Sequence, residues 1–124
     1  MICLDTNYLI LGLVRAASEA ERLLAWSESG ERLCVSAVVW YEFTCGPVDP
    51  GQVAAMRALI HEVVAFDDIQ AEEAARLFNA VDRQRHLRVD AMIAAAAVSR
   101  DAYLATRNRE DFAPFTEHGL CLIG

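Results

Sequence analysis

Four stretches of the chain place a carboxylate among apolar neighbours or at the end of an apolar run. They are MICLDTN with Asp5, VVWYEF with Glu42, RVDAMIAAAAV with Asp90, and LATRNREDF with Asp111 three residues after Asn108. A carboxylate left buried and unpaired costs several kcal/mol, so each position demands a partner. Asn108 and Asp111 share a face if their stretch takes one helical turn. Three or four carboxylates brought to one place repel and raise one another's pKa unless a divalent cation lies between them. Oxygen donors without clustered histidine or thiolate select Mg²⁺ or Mn²⁺ over Zn²⁺. A substrate with its own negative oxygens suits such an ion, and a phosphodiester fits: the metal orients a water, lowers its pKa and stabilises charge in the transition state.

Each residue alone also admits a plainer role. Asp5 and Asp90 could cap helices, Glu42 could pair with an arginine, and Asp111 could begin a surface turn. The elements that must position these residues decide between the two accounts. Ile2 to Leu4 read as a first strand, followed by an apolar helix from Tyr8 to Ala16. Ser18 to Ser29 form an amphipathic helix, with Ser18 and Glu21 spaced like a capping box and Gly30 as the stop. Arg32 to Val35 make a short strand running into Ser36, a cap for the helix Ala37 to Cys45, which ends at Gly46-Pro47. Asp49-Pro50 opens a helix over Gly51 to His61, and Val63 to Phe66 are a third strand.

The alternation continues with an amphipathic helix over Ala71 to Arg83 and an alanine-rich, almost wholly buried helix over Val89 to Ser99. Tyr103 to Ala105 and Leu120 to Ile123 supply the fourth and fifth strands. Strands separated by helices predict an α/β fold in three layers, with a parallel sheet between helices. No linker, low-complexity tract or solenoid repeat divides the chain, so residues 1–124 are expected to be one domain. In an open parallel sheet ligands gather at the carboxyl ends of the strands. All four acidic positions are expected at that edge, which none of the plainer roles requires.

Composition narrows the chemistry further. The 124 residues carry 11 basic and 18 acidic side chains, net -7, and every basic one is arginine. The absence of lysine excludes a Walker A or Schiff-base lysine. The acidic balance argues against a tight, sequence-independent grip on nucleic acid, but not against metal-assisted engagement flanked by Arg83, Arg85, Arg88, Arg107 and Arg109. His61, His86 and His118 are scattered and flanked by charges, and read as solvated. Cys3, Cys34, Cys45 and Cys121 lack zinc spacing and read as small buried hydrophobes kept reduced. Mean hydropathy is +0.22, yet no apolar run approaches the roughly 18 to 20 residues of a membrane span. No signal-peptide pattern opens the sequence, and a cytoplasmic protein is expected.

LDTN, the YEF glutamate, VDAMIAAAA and LATRNREDF, in that order over essentially the whole chain, resemble a PIN domain. The short length is similar to the VapC toxins of bacterial toxin–antitoxin pairs. The resemblance implies a five-stranded parallel sheet between helices and Mg²⁺- or Mn²⁺-dependent cleavage of RNA. It also implies a homodimer or toxin–antitoxin hetero-oligomer and inhibition by a cognate antitoxin. Asp5, Glu42 and Asp90 match the family's metal-binding positions, and Asp111 matches a further acidic one. Asn108 stands where the family often has an acid; it offers a carbonyl oxygen to a metal or its water, but no charge. Thr106 matches a hydroxyl position, and Thr6 and Asn7 match the residues supporting Asp5.

Two rivals are weaker. A phosphoryl-accepting site with Asp5 as nucleophile wants a second aspartate where Asn7 stands, or a lysine the chain lacks. A binding module with an inactive acidic crevice, acting only through a protein partner, is the alternative that Asn108 keeps open.

Overall fold

Five three- and four-residue runs, apolar enough to be covered on both faces, pair side by side in one direction. They are β1 (Ile2–Leu4), β2 (Leu33–Ser36), β3 (Glu62–Val64), β4 (Tyr103–Ala105) and β5 (Cys121–Ile123). The computed structural model, which describes residues 1–124, orders them β3-β2-β1-β4-β5, with every neighbouring pair parallel. Cys3 lies opposite Cys34 on one side and Leu104 on the other, which makes β1 the central strand. The three-layer α/β/α architecture agrees with the alternation read from sequence.

Helices α1 (Thr6–Leu11), α2 (Ser18–Glu28), α3 (Ala37–Cys45), α4 (Pro50–Leu59), α5 (Asp68–Ala80), α6 (Arg88–Ser99) and α7 (Arg109–Phe112) make the connections. Buried hydrophobic side chains form one core cluster that includes all of β1 and residues from both sheet-covering layers. Helix α6 buries Ala91 and every residue from Ile93 to Ala97. Its run of methyl side chains lets the helix backbone lie close to the sheet, so a nearly featureless apolar segment becomes a rigid support.

Several element limits differ from those the sequence predicts. Helix α1 begins at Thr6 because the Asp5 side chain caps it, and stops at Leu11, well short of Ala16. A Cβ at Gly12, the residue after the helix, would meet Leu23 and the Tyr8 carbonyl, so the close packing of α1 on α2 requires glycine there. The capping box expected at Ser18 and Glu21 does not form: Ala17 is the cap residue, and the Ser18 hydroxyl donates to Glu19 instead. A capping box does form at α4, where Asp49 and Gln52 satisfy each other's backbone N–H groups. Only Cys3 and Cys34 are buried, their sulfurs 3.1 Å apart; Cys45 and Cys121 are exposed at a helix end and an edge strand, contrary to the expectation for all four.

The chain builds outward from β1 through β2 to β3, then crosses back to place β4 on the other side of β1. The order therefore reverses between β1 and β4, and a crevice opens beyond their carboxyl ends. Asp5 follows β1 directly and Thr106 follows β4 directly.

Candidate active site

At the reversal point the two strand ends are tied to each other through side chains. The Thr106 hydroxyl donates to Asp5 Oδ2 at 2.6 Å, and both residues are buried. The Asp5 backbone N–H donates to the Ala105 carbonyl, continuing the strand pairing one step past the sheet. Asp5 Oδ1 accepts the Thr6 backbone N–H at 2.8 Å, which caps α1, while the Asn7 amide approaches Oδ2 at 3.4 Å. Several donors thus fix the carboxylate's orientation without neutralising it.

Helix α3 brings the second carboxylate. Ser36 accepts the Val39 N–H and starts the helix at the end of β2. Phe43 and Val39 bury one side of α3, and Glu42 remains exposed on another. Its Oε1 accepts a hydrogen bond from the Thr6 hydroxyl at 2.8 Å, so Thr6 bridges Asp5 and Glu42 through its N–H and its O–H. Asn7 has a double part as well, since its Oδ1 accepts the Arg107 N–H at 3.3 Å and holds the turn after β4.

Asp90 stands in the first turn of α6, half-buried. Burial and the negative charges of Asp5, Asp111 and Glu42 push its carboxyl up to about 6, against a weak opposing pull from His86. Asp5, Asp111 and Glu42 are therefore each close enough to act on Asp90 through the protein. None of the chain's ion pairs involves any of them. Asp111 lies on α7 and accepts the Asn108 amide at 2.9 Å, as the three-residue spacing predicts. The Asn108 backbone N–H donates in turn to Thr106, which makes Thr106 the joint between the loop after β4 and Asp5.

This geometry bears on a divalent cation. No three acidic, histidine or cysteine side chains are arranged so that together they could hold a metal ion. Mg²⁺ does not need three, because it keeps several waters and takes only one or two carboxylates from a protein. The donors here are all hard oxygens, oriented by hydroxyl and amide neighbours, and repulsion at Asp90 is relieved by no ion pair of the chain. In chemistry and charge the residues fit Mg²⁺ or Mn²⁺.

One feature of the site escaped the sequence reading. Glu19, in the first turn of α2, is buried and has its Oε2 3.5 Å from Nε of exposed Arg107. This contact ties α2 to the turn after β4. In sequence Glu19 is an ordinary first-turn acid favoured by the helix dipole, and nothing there signals its burial. Arg107 is thereby committed to an internal partner.

The family model described as PIN domain matches residues 2–115. Among solved structures the chain is similar to a toxin–antitoxin complex from Klebsiella pneumoniae, at 25% identity over 91% of this chain and 91% of that one, with a TM-score of 0.72. It is also similar to VapBC2 from Rickettsia felis bound to a DNA fragment from their promoter, at 17% identity over 99% and 98% of the two chains, TM-score 0.76. FitAcB from Neisseria gonorrhoeae matches at 23% identity over 100% and 97%, TM-score 0.73. The last two likenesses concern the fold. No curated protein matches the chain.

Proposed function

Because the chain belongs to the PIN domain family, we propose that it is an Mg²⁺- or Mn²⁺-dependent endoribonuclease, the toxin of a toxin–antitoxin pair neutralised by a cognate antitoxin. The observation that carries the reading is the uncompensated convergence of Asp5, Glu42, Asp90 and Asp111 on one crevice at the carboxyl edge of the sheet. A structural cluster of acids would be expected to include an arginine or lysine; this one leaves its negative charge for a ligand.

One or two of Asp5, Glu42 and Asp90 would hold the metal directly and the rest through its waters, with Asn108 offering a carbonyl oxygen beside them and Asp111 supplying further negative charge. When bound, the cation would lower the pKa of a water and stabilise charge at the reacting phosphorus. The chain's own contribution is positioning. Thr106 and the Thr6 N–H fix Asp5, the Thr6 hydroxyl fixes Glu42, and Asn7 braces Asp5 against the turn that carries Arg107. Asn108 holds Asp111 by its amide nitrogen, which leaves its oxygen free to face a ligand or a water. Residues 1–124 act in this reading as a single PIN domain.

The partner reading draws support from the Klebsiella pneumoniae toxin–antitoxin complex, the solved structure most similar in sequence among those compared above. Assembly as a homodimer or with an antitoxin follows from the same reading, as does a cytoplasmic location, where RNA is available. No helix is long and apolar enough to cross a membrane. The experiment is cleavage of an RNA pool by chain purified free of any partner, with Mg²⁺ or Mn²⁺, beside Asp5→Ala. Cleavage that disappears in the variant supports the enzyme. No cleavage by either form, with growth arrest on expression that Asp90→Asn does not relieve, would leave a binding module acting through a protein partner.

A further inference from the structure

The chain has a net charge of -7, yet residues 82–88, DRQRHLR, hold three arginines and a histidine against one aspartate. This segment joins α5 to α6 and runs straight into the helix turn that carries Asp90. It is a built loop, anchored by buried Val81 and Leu87 at its two ends. The Asp82 N–H donates to the Asn79 carbonyl, the Arg83 N–H to the Phe78 carbonyl at 2.9 Å, and the Gln84 amide to the Val81 carbonyl. Asp82 and Arg83 take consecutive left-handed conformations, with φ of 62° and 54°, which reverse the chain between the helices. Arg88 is pinned, its guanidinium 5.1 Å from the centre of the Phe78 ring.

Arg83, Arg85 and Arg88 are exposed, and none forms an ion pair. Arg76, Arg100 and Arg107, by contrast, are committed to Glu73, Glu62 and Glu19. The loop leads directly into the turn of α6 that carries Asp90, and its His86 is near enough to act on that carboxylate. Exposed cations with no partner in the chain suit a ligand that carries its own regularly spaced negative charges. Guanidinium groups match phosphate oxygens in geometry and charge.

We propose that the loop 82–88 grips the phosphodiester backbone of single-stranded RNA next to the carboxylate crevice, through Arg83 and Arg85. The inference rests on the ribonuclease reading and adds where the strand lies. It separates the arginines singled out in the sequence: Arg107 is an internal brace, Arg88 is held on Phe78, and Arg83 and Arg85 are the contacts.

The test is fluorescence anisotropy of a short labelled single-stranded oligoribonucleotide over a salt series, with EDTA present so that binding is separated from cleavage. The main variant is Arg83→Asn with Arg85→Gln, which leaves Arg88 on Phe78 and gives the left-handed position a residue that tolerates it. It should bind about tenfold more weakly at low salt, and the slope of log affinity against log salt should become shallower by about 1.4, roughly 0.7 per lost phosphate contact. Arg85→Gln alone, at a side chain with no internal partner, guards against a folding defect and should remove about half of that slope change. Wild-type affinity and slope in a variant with an unchanged thermal melt would overturn the assignment. So would variants that keep RNA binding but lose a protein partner, since the loop would then be a docking site for an acidic peptide. Asp5-dependent cleavage by the wild type, with RNA binding unaltered in the loop variants, sinks the loop assignment alone. If the wild type neither binds nor cleaves RNA, the ribonuclease reading fails and takes the loop with it.

Discussion

Replacing Asp90 by asparagine should stabilise the cation-free protein at neutral pH. In the folded chain, burial and three neighbouring carboxylates raise this group from 3.8 to about 6. Each unit corresponds to about 1.4 kcal/mol, so the full difference is worth about 3 kcal/mol. Asp90 is only half-buried, and solvent screening reduces the expected effect to about 1–2 kcal/mol. The folded state holds the proton more tightly than the unfolded state. Its advantage from this group is therefore fully present below pH 3.8, is lost as pH rises through about 6, and stays lost above it. Asp90→Asn removes the charge at every pH. In EDTA at pH 7.5 the variant should melt about 3–8 °C above the wild type, and the gap should shrink towards pH 4. Adding Mg²⁺ should raise the wild-type melting temperature more than that of the variant, because the ion relieves a repulsion the variant no longer has. A variant that melts at or below the wild type at pH 7.5 would refute the argument, since Asp90 would then be compensated by something other than a cation.

Thr106→Val keeps the shape of the side chain but leaves Asp5 Oδ2 and the Asn108 N–H without their shared partner. It should cost about 1–3 kcal/mol by denaturant titration and lower RNA cleavage along with it. Arg100→Met breaks the pairing with Glu62, which lies at the amino edge of the sheet, away from the crevice. With both side chains about one-third exposed, the loss should be within about 1 kcal/mol, and RNA cleavage should be unchanged.

Periodicity made the layers legible in the sequence, because a parallel sheet needs a helix between successive strands and each helix needs an apolar stripe. Element ends were less legible, since they depend on contacts with distant residues. Gly12, at the end of α1, lies against Leu23 of another helix, a contact that no local pattern shows. Ser18 fails as a cap because Ala17 takes the cap position and Ser18 enters the helix. Cysteine burial followed strand position, with the central strands covering Cys3 and Cys34 while Cys121 lies exposed on an edge strand.

The sequence by itself determined which residues could do chemistry: acids where apolar elements end, a local Asn108–Asp111 pair at helical spacing, and no lysine to compete. Those are properties of residue type and short-range spacing. Only the tertiary structure decided which groups meet. Thr106 reaches Asp5 across 101 positions because β4 returns beside β1, and Thr6 reaches Glu42 across 36 because α3 packs beside α1. The same packing buried Glu19 against Arg107, set Arg88 on Phe78 and left Arg83 and Arg85 exposed without an ion pair. Charge partners in a folded chain are chosen by through-space distance, and strand order, which local pattern does not encode, sets that distance.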